Sequence, residues 1–170
     1  MIKANTNFLG IPIVGDITPT GSRRVEQRPR EEFEELVRNV LADDLVVEFG
    51  WTQYTPYFND GDVCEFGAGG IWVRTTNDPK GSEGEDEYGV AEHLSVDYGH
   101  PTLGKETHPN GYQNPGVYEG DHPDTFHLCQ QLNRAIDGGQ FDHLLLELFG
   151  DHAEVVVSRN GITVESYSHD

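Results

Sequence analysis

The chain has 170 residues and two cysteines, and its 30 Asp and Glu against 11 Lys and Arg give a net charge of −19. That length fits one domain, or one domain with an arm, and can bury a core without disulfides, which argues against a multidomain enzyme and a secreted stapled scaffold. The acidity argues against nucleic acid or an anionic membrane as partner, no apolar run approaches the ~18 residues of a membrane span, and two thiols without a CxxC pair (Cys64, Cys129) point to a reducing cytoplasm.

The charge is divided unevenly along the chain. Residues 1–30 hold Lys3, Arg23, Arg24, Arg28 and Arg30 against Asp16 and Glu26, a net of +3. Residues 31–170 carry 6 basic and 28 acidic groups, a net of −22. The first segment runs from a short apolar stretch, Phe8 to Val14 broken by Pro12, through a Pro/Thr/Gly/Ser stretch to an Arg cluster. It reads as an arm rather than a signal peptide, since its only early cation is Lys3 and no small-residue cleavage site follows. The expected organisation is therefore an arm over 1–28 and a single acidic domain over 29–170, with oligomerisation through the arm one of its uses.

A helix is predicted from Pro29, which suits a first helical position, with Glu31 and Glu32 against the N-terminal dipole. Phe33, Leu36, Val37, Val40 and Leu41 form its apolar stripe, and it ends near Asp43-Asp44. Residues 45–58 are aromatic and β-branched and predict a strand, with Pro56 limiting its end. The turn signal Asn59-Asp60-Gly61-Asp62 predicts a return over Val63–Phe66, and a second turn at 67–70 leads to a third strand over Ile71–Thr76, a meander. Residues 81–89 read as an acidic, Gly-rich loop, Val90–Tyr98 as a short helix or a strand, and His100–Pro123 as turns. Asp124 is a predicted N-cap for a helix burying Phe126, Cys129, Leu132, Ala135 and Ile136 and stopping at Gly138-Gly139. A further helix places Phe141, Leu144, Leu145, Leu148 and Phe149 on one face and stops at Gly150. Asn160-Gly161 then signals a hairpin turn that would oppose Val157 to Val164 and Arg159 to Ile162. Val155, Val157, Ile162 and Val164 share the inner face of that hairpin, and Glu154, Glu165, Thr163 and Tyr167 share the outer face with Val156. The fold class that follows is α+β, an antiparallel sheet of about five strands, meander plus C-terminal hairpin, with helices packed on one face.

Chemistry is weakly signalled. Gly61 aligned as the sixth position of an EF-hand leaves Phe58 and Pro56 where oxygen ligands belong, so the Asn-Asp-Gly-Asp turn is not an EF-hand. Histidine and carboxylate together suit a transition metal, and the metal candidates are His93, Asp97, His100, His108 and His122. His93 and Asp97 would share a face only if their segment is helical. No HExxH, GxSxG, P-loop or GxGxxG is present, Cys129 falls on an apolar helix face, and Cys64 lies in a predicted strand beside acidic residues that raise a thiol pKa. No catalytic residue and no cofactor is predicted, a divalent metal being the one alternative. The partner-binding candidates are the aromatics Trp51, Tyr54 and Tyr57, together with the acidic run Glu83, Glu85, Asp86 and Glu87.

The acidity has a geometric reading too. A body of about 140 residues spans roughly 37 Å, over which duplex DNA carries about 22 charges. DNA mimicry is thus arithmetically allowed, alongside solubility and adaptation to a salty host, the latter in keeping with only three lysines (Lys3, Lys80, Lys105).

Two stretches carry a resemblance. The first is Phe49 to Cys64 (FGWTQYTPYFNDGDVC); the second is Phe149-Gly150-Asp151-His152 followed by a Val-rich strand, Asn160-Gly161 and the ending Tyr167-Ser168-His169-Asp170. Together, over about a third of the chain, they resemble a group of uncharacterised proteins encoded by tailed bacteriophages and some bacterial genomes. The resemblance implies a phage origin and an intracellular setting, and it carries over no catalytic residue. The expected function is non-enzymatic: an acidic phage-type protein that binds a host or phage protein, as a DNA mimic or an inhibitor of a host system. The alternatives are a metal-assisted hydrolase built on the His/Asp-rich middle, and a virion component anchored by its arm. The setting is the host cytoplasm, or the virion in the last case.

Overall fold

The computed structural model describes residues 7–12, 25–58, 60–78 and 93–168, with only the backbone of residues 7 and 8. The acidic loop at 81–89, with Glu83, Glu85, Asp86 and Glu87, lies outside them, as does most of the arm. Within the arm a small hairpin joins β1 (Asn7–Phe8) to β2 (Ile11–Pro12), turning through Leu9 and Gly10 at φ 53° and 77°.

The fold is α+β, as expected. Helix α1 (Arg30–Ala42) follows Pro29 and turns Phe33 and Val40 fully inward. Strand β3 (Val46–Tyr54) is the centre of the sheet. Its inner face carries Phe49, Trp51 and Gln53, all buried, and matches the inner faces of its neighbours, where Phe49 opposes Val157 and Trp51 opposes Val155. Helices α2 (Pro123–Asp137) and α3 (Asp142–Phe149) cover that face with α1, contributing Phe126, Leu132, Ile136 and Leu145 to one continuous core. Among the described residues, no helix is long and apolar enough to cross a membrane.

The return from β3 differs from the predicted meander in one respect. Residues 63–66 are not a strand; β4 (Gly67–Ala68) and β5 (Trp72–Thr75) lie end to end along the same edge of β3. Cys64 accordingly sits in a loop. Two glycines, Gly69 and Gly70, interrupt the line, and Asn133 Oδ1 accepts the Ile71 amide at 2.7 Å where β3 offers no partner. The segment 94–96 then lines the outside of β5, with Val73 N–H bonded to Leu94 O and Val96 N–H to Ile71 O. Of the ambiguous Val90–Tyr98 stretch, residues 90–92 lie outside the described residues, His93 is helical, and Ser95 bridges Trp72 of β5. A further ladder, β6 (Lys105–Thr107) with β7 (Val117–Glu119), organises the turn-rich middle.

Strands β8 (Ala153–Ser158) and β9 (Gly161–Ser166) form the C-terminal hairpin. The face assignments hold, but the register is shifted by two: Val157 opposes Ile162, Val155 opposes Val164, and the loop is Arg159-Asn160. Arg159 is drawn into the turn because its guanidinium donates to Val46 O at 2.8 Å and Asp43 O at 2.6 Å, a tertiary contact that local turn preference does not register. Strand β9 extends beyond the helices, so Ile162 and Val164 remain about half exposed. Helix α2 starts two residues earlier than predicted, with His122 as N-cap, Pro123 first and Asp124 inside the first turn, where its charge suits the dipole.

Gln27 and Arg28, counted with the arm, pack on the α2–α3 corner. Gln27 Nε2 donates to Gly139 O at 2.7 Å, Arg28 N to Gln140 O at 2.9 Å, and the Arg28 guanidinium lies 5.2 Å over the Phe141 ring.

Candidate functional site

Strand alternation gives the sheet a second face, turned away from the helices. At its β5 side this face is closed by Trp72, whose indole lies flat over Gly50; a Cβ at residue 50 would stand 2.7 Å from that ring and 2.5 Å from Val155 O. Toward β8 and β9 its residues are half-buried to exposed. Its first cross-strand row is Tyr54, His152 and Tyr167, and its second is Thr52, Glu154 and Glu165.

The rings of the first row touch. Tyr54 and Tyr167 meet with centroids 5.5 Å apart, and His152 stacks on Tyr57 at 4.8 Å with 15° between planes. Tyr57 is 72% exposed and Phe58 beside it 77%. Asp151 builds the corner that holds these rings. Its carboxylate accepts the Thr55 amide at 2.8 Å, the Thr55 hydroxyl at 2.7 Å and the His152 amide at 2.8 Å. Burial works against the charge of Asp151, but these three donors outweigh it and hold the carboxyl below its usual range. Beneath, the Gln53 amide donates to Leu145 O at 3.0 Å and Gly150 O at 2.6 Å, and accepts the Trp51 indole N–H at 3.0 Å. The two stretches that carry the resemblance thus interlock: residues 51–57 from the first are bonded to or stacked on 149–152 and 167 from the second.

Among the partner candidates, Tyr54 and Tyr57 belong to this row and Trp51 does not. Trp51 is 1% exposed, points to the helices and packs against Phe33, Phe49 and Phe149. Period-two alternation puts it on the opposite face from Tyr54. His152 and Tyr167 are not among the partner candidates read from the sequence; their signal was their place at corresponding ends of β8 and β9, on the face opposite Val155 and Val164.

The metal candidates are not brought together. Among the described residues no three His, Cys, Asp or Glu side chains are placed to hold an ion. His93 is helical but the helix does not continue to Asp97, so the two share no helix face; Asp97 instead accepts from Asn133 at 2.7 Å, and burial raises its pKa. His108 faces Glu106 at 3.5 Å and Tyr112, and His122 caps α2 with its amide on the Tyr118 hydroxyl. His100 is buried and fully used. Nδ1 accepts the amides of Thr102 and Leu103 at 3.1 and 3.0 Å, so Nε2 carries the hydrogen that reaches Val73 O at 2.6 Å. Cys129 is a core residue whose thiol burial pushes up to about 12, which removes it as a nucleophile.

The His100 node sets an expected pH dependence. Burial pulls the His100 pKa below its ordinary 6.5 despite the Val73 bond and Asp78, whose carboxylate lies 3.8 Å away. The native state therefore holds His100 neutral, and its contribution is full above pH about 6.5 and declines as pH falls below that value. Asp78 is also shifted down, held low by the Thr102 and Thr75 donors against burial, so its contribution is lost only in stronger acid, as pH drops through the carboxylate range. Thermal melts between pH 8 and 5 are expected to show Tm falling below pH about 6.5 in the wild type, with His100→Asn losing part of that slope as well as stability.

At the far end of the open face a shallow cleft of about 510 Å³ is lined by Val47, Glu48, Arg74, Ser158, Arg159 and Asn160. Arg74 is ion-paired with Glu48 at 2.8 Å, and Arg159 serves the turn.

These features define an α+β domain with an aromatic, carboxylate-flanked sheet face. Compared with known proteins, the chain matches no family model, no curated protein and no solved structure.

Proposed function

We propose that the protein is a non-enzymatic, phage-type binding protein that engages a host or phage protein through the aromatic row. The observation that carries this reading is the contiguous set of rings at Tyr54, Tyr57, His152 and Tyr167, with Tyr57 72% exposed and Phe58 77% exposed at its rim. Tyrosine supplies a large contact area at low entropic cost and is enriched at interface hot spots. The rings are set on strand ends and a carboxylate-braced corner rather than on a mobile tip, so little ordering cost accompanies binding. The resemblance to phage-encoded proteins supports the host cytoplasm as the setting, or the virion if the partner is a structural protein.

Tyr57→Ala is expected to leave Tm within a degree or two, because the ring is exposed, and to weaken partner binding about 30-fold. The check is capture from host lysate with wild-type and Tyr57→Ala baits, followed by titration of the captured partner. Equal affinity for the two baits removes the aromatic row as the contact.

A further inference from the structure

We propose that the segment received by the open face is arginine-bearing, and that Glu154 and Glu165 recognise its guanidinium while the aromatic row stacks on it. This rests on the binding reading above and adds the chemistry of the partner. Three observations meet here. Glu154 and Glu165 are directly opposite each other in the β8–β9 register, both on the outer face. Like charges so placed in a ladder repel, and Thr52, their neighbour on β3, supplies no cation. The next row is Tyr54, His152 and Tyr167, so rings and carboxylates lie one strand step apart on the same surface. A planar cation that stacks on aromatic faces and pairs bidentately with carboxylate is arginine; lysine offers a point charge without the stack. Charge complementarity points the same way, since the body that presents this face carries a net charge of −22.

A carboxylate row alone would attract any cation diffusely. The adjoining rings make the face selective for a flat one, and they leave a partner's arginine a dry side and a charged side. An arriving cation offsets the like-charge repulsion of the opposed pair, so binding and pair stability are coupled.

The test uses the full chain and three glycine-spaced probe peptides, bearing arginine, lysine or citrulline. Amide chemical shifts are followed by NMR at low and moderate salt. The arginine peptide is expected to shift residues of the two rows, and to bind about tenfold more weakly to Glu154→Gln/Glu165→Gln. That variant removes the like-charge pair and is expected to match or exceed wild-type Tm, so loss of binding is separable from loss of fold. The citrulline peptide is expected not to bind. Equal binding of the lysine and arginine peptides with shifts spread over the body, or undiminished binding to the double variant, overturns the arginine assignment. If Tyr57→Ala still loses the lysate partner in that case, the binding reading stands and only this inference fails. Dimerisation of the chain that the double variant abolishes would assign the face to the basic arm of a second copy and overturn a separate partner.

Discussion

Replacing Trp51 by alanine is expected to cost about 3–5 kcal/mol of folding stability, the range for truncating a buried aromatic. Against a typical domain stability of about 5–15 kcal/mol this is a large fraction, so the variant should be poorly populated at 37 °C. The indole is 1% exposed and sits among Phe33, Phe49 and Phe149, with the Phe149 ring 5.7 Å away at 73°. Removing it opens a void at the junction of α1, α3 and β3. Urea denaturation should show a lower midpoint with an unchanged slope. Trp51→Phe separates packing from hydrogen bonding: it keeps most of the apolar bulk but leaves Gln53 Oε1 without its donor, a loss of about 1–3 kcal/mol. Because the indole faces the core, Trp51→Phe should bind the partner as wild type does. A selective loss of partner affinity in that variant, at unchanged stability, would return Trp51 to the contact surface.

The second large effect is expected at Gln53. Gln53→Leu fills nearly the same volume but withdraws the donor to Gly150 O and Leu145 O and the acceptor of the Trp51 indole. Buried groups left without partners cost about 1–3 kcal/mol each, so a total of about 3 kcal/mol is expected. The loss should be local before it is global. Gln53 ties the last turn of α3 to β3, and hydrogen exchange should accelerate first at Leu146 to Gly150. The Asp151 corner, and with it the Tyr57–His152 stack, depends on the same junction. Gln53→Leu is therefore expected to weaken partner binding indirectly, whereas Tyr57→Ala weakens it with the junction intact. If exchange in α3 is unchanged in Gln53→Leu, the amide is not the clasp described.

Most of the fold was legible because its signals are periodic and local. The stripe Phe33, Leu36, Val37, Val40 and Leu41 gave α1, and Pro29 gave its start, to within one residue. The alternation of Val155 and Val157 against Glu154 and Val156 placed the faces of β8 correctly. What failed was non-local. The Asn160-Gly161 signal was two residues out in register because Arg159 is held by carbonyls of β3 and the loop before it. The return strand placed at 63–66 did not form, whereas the third strand placed at 71–76 did, as β5; it pairs with β3 directly, with β4 on the same edge and two glycines between them, where Asn133 accepts the Ile71 amide. At His100 the local amides of Thr102 and Leu103 and the carbonyl of distant Val73 together leave the ring no lone pair for a metal.

The sequence by itself determined the fold class, the helix faces and the two-ended charge of +3 and −22. These follow from residue periodicity and composition, which are read along one dimension. Only the tertiary structure decided that Trp51 belongs to the core and Tyr54 to the surface of the same strand, and that Tyr57 and His152, 95 positions apart, stack. Which face of a strand is dry depends on what packs against it, and which rings share a row depends on strand order and register. Both are set by long-range burial, and it is that burial which places the Glu154–Glu165 pair beside the row of Tyr54, His152 and Tyr167.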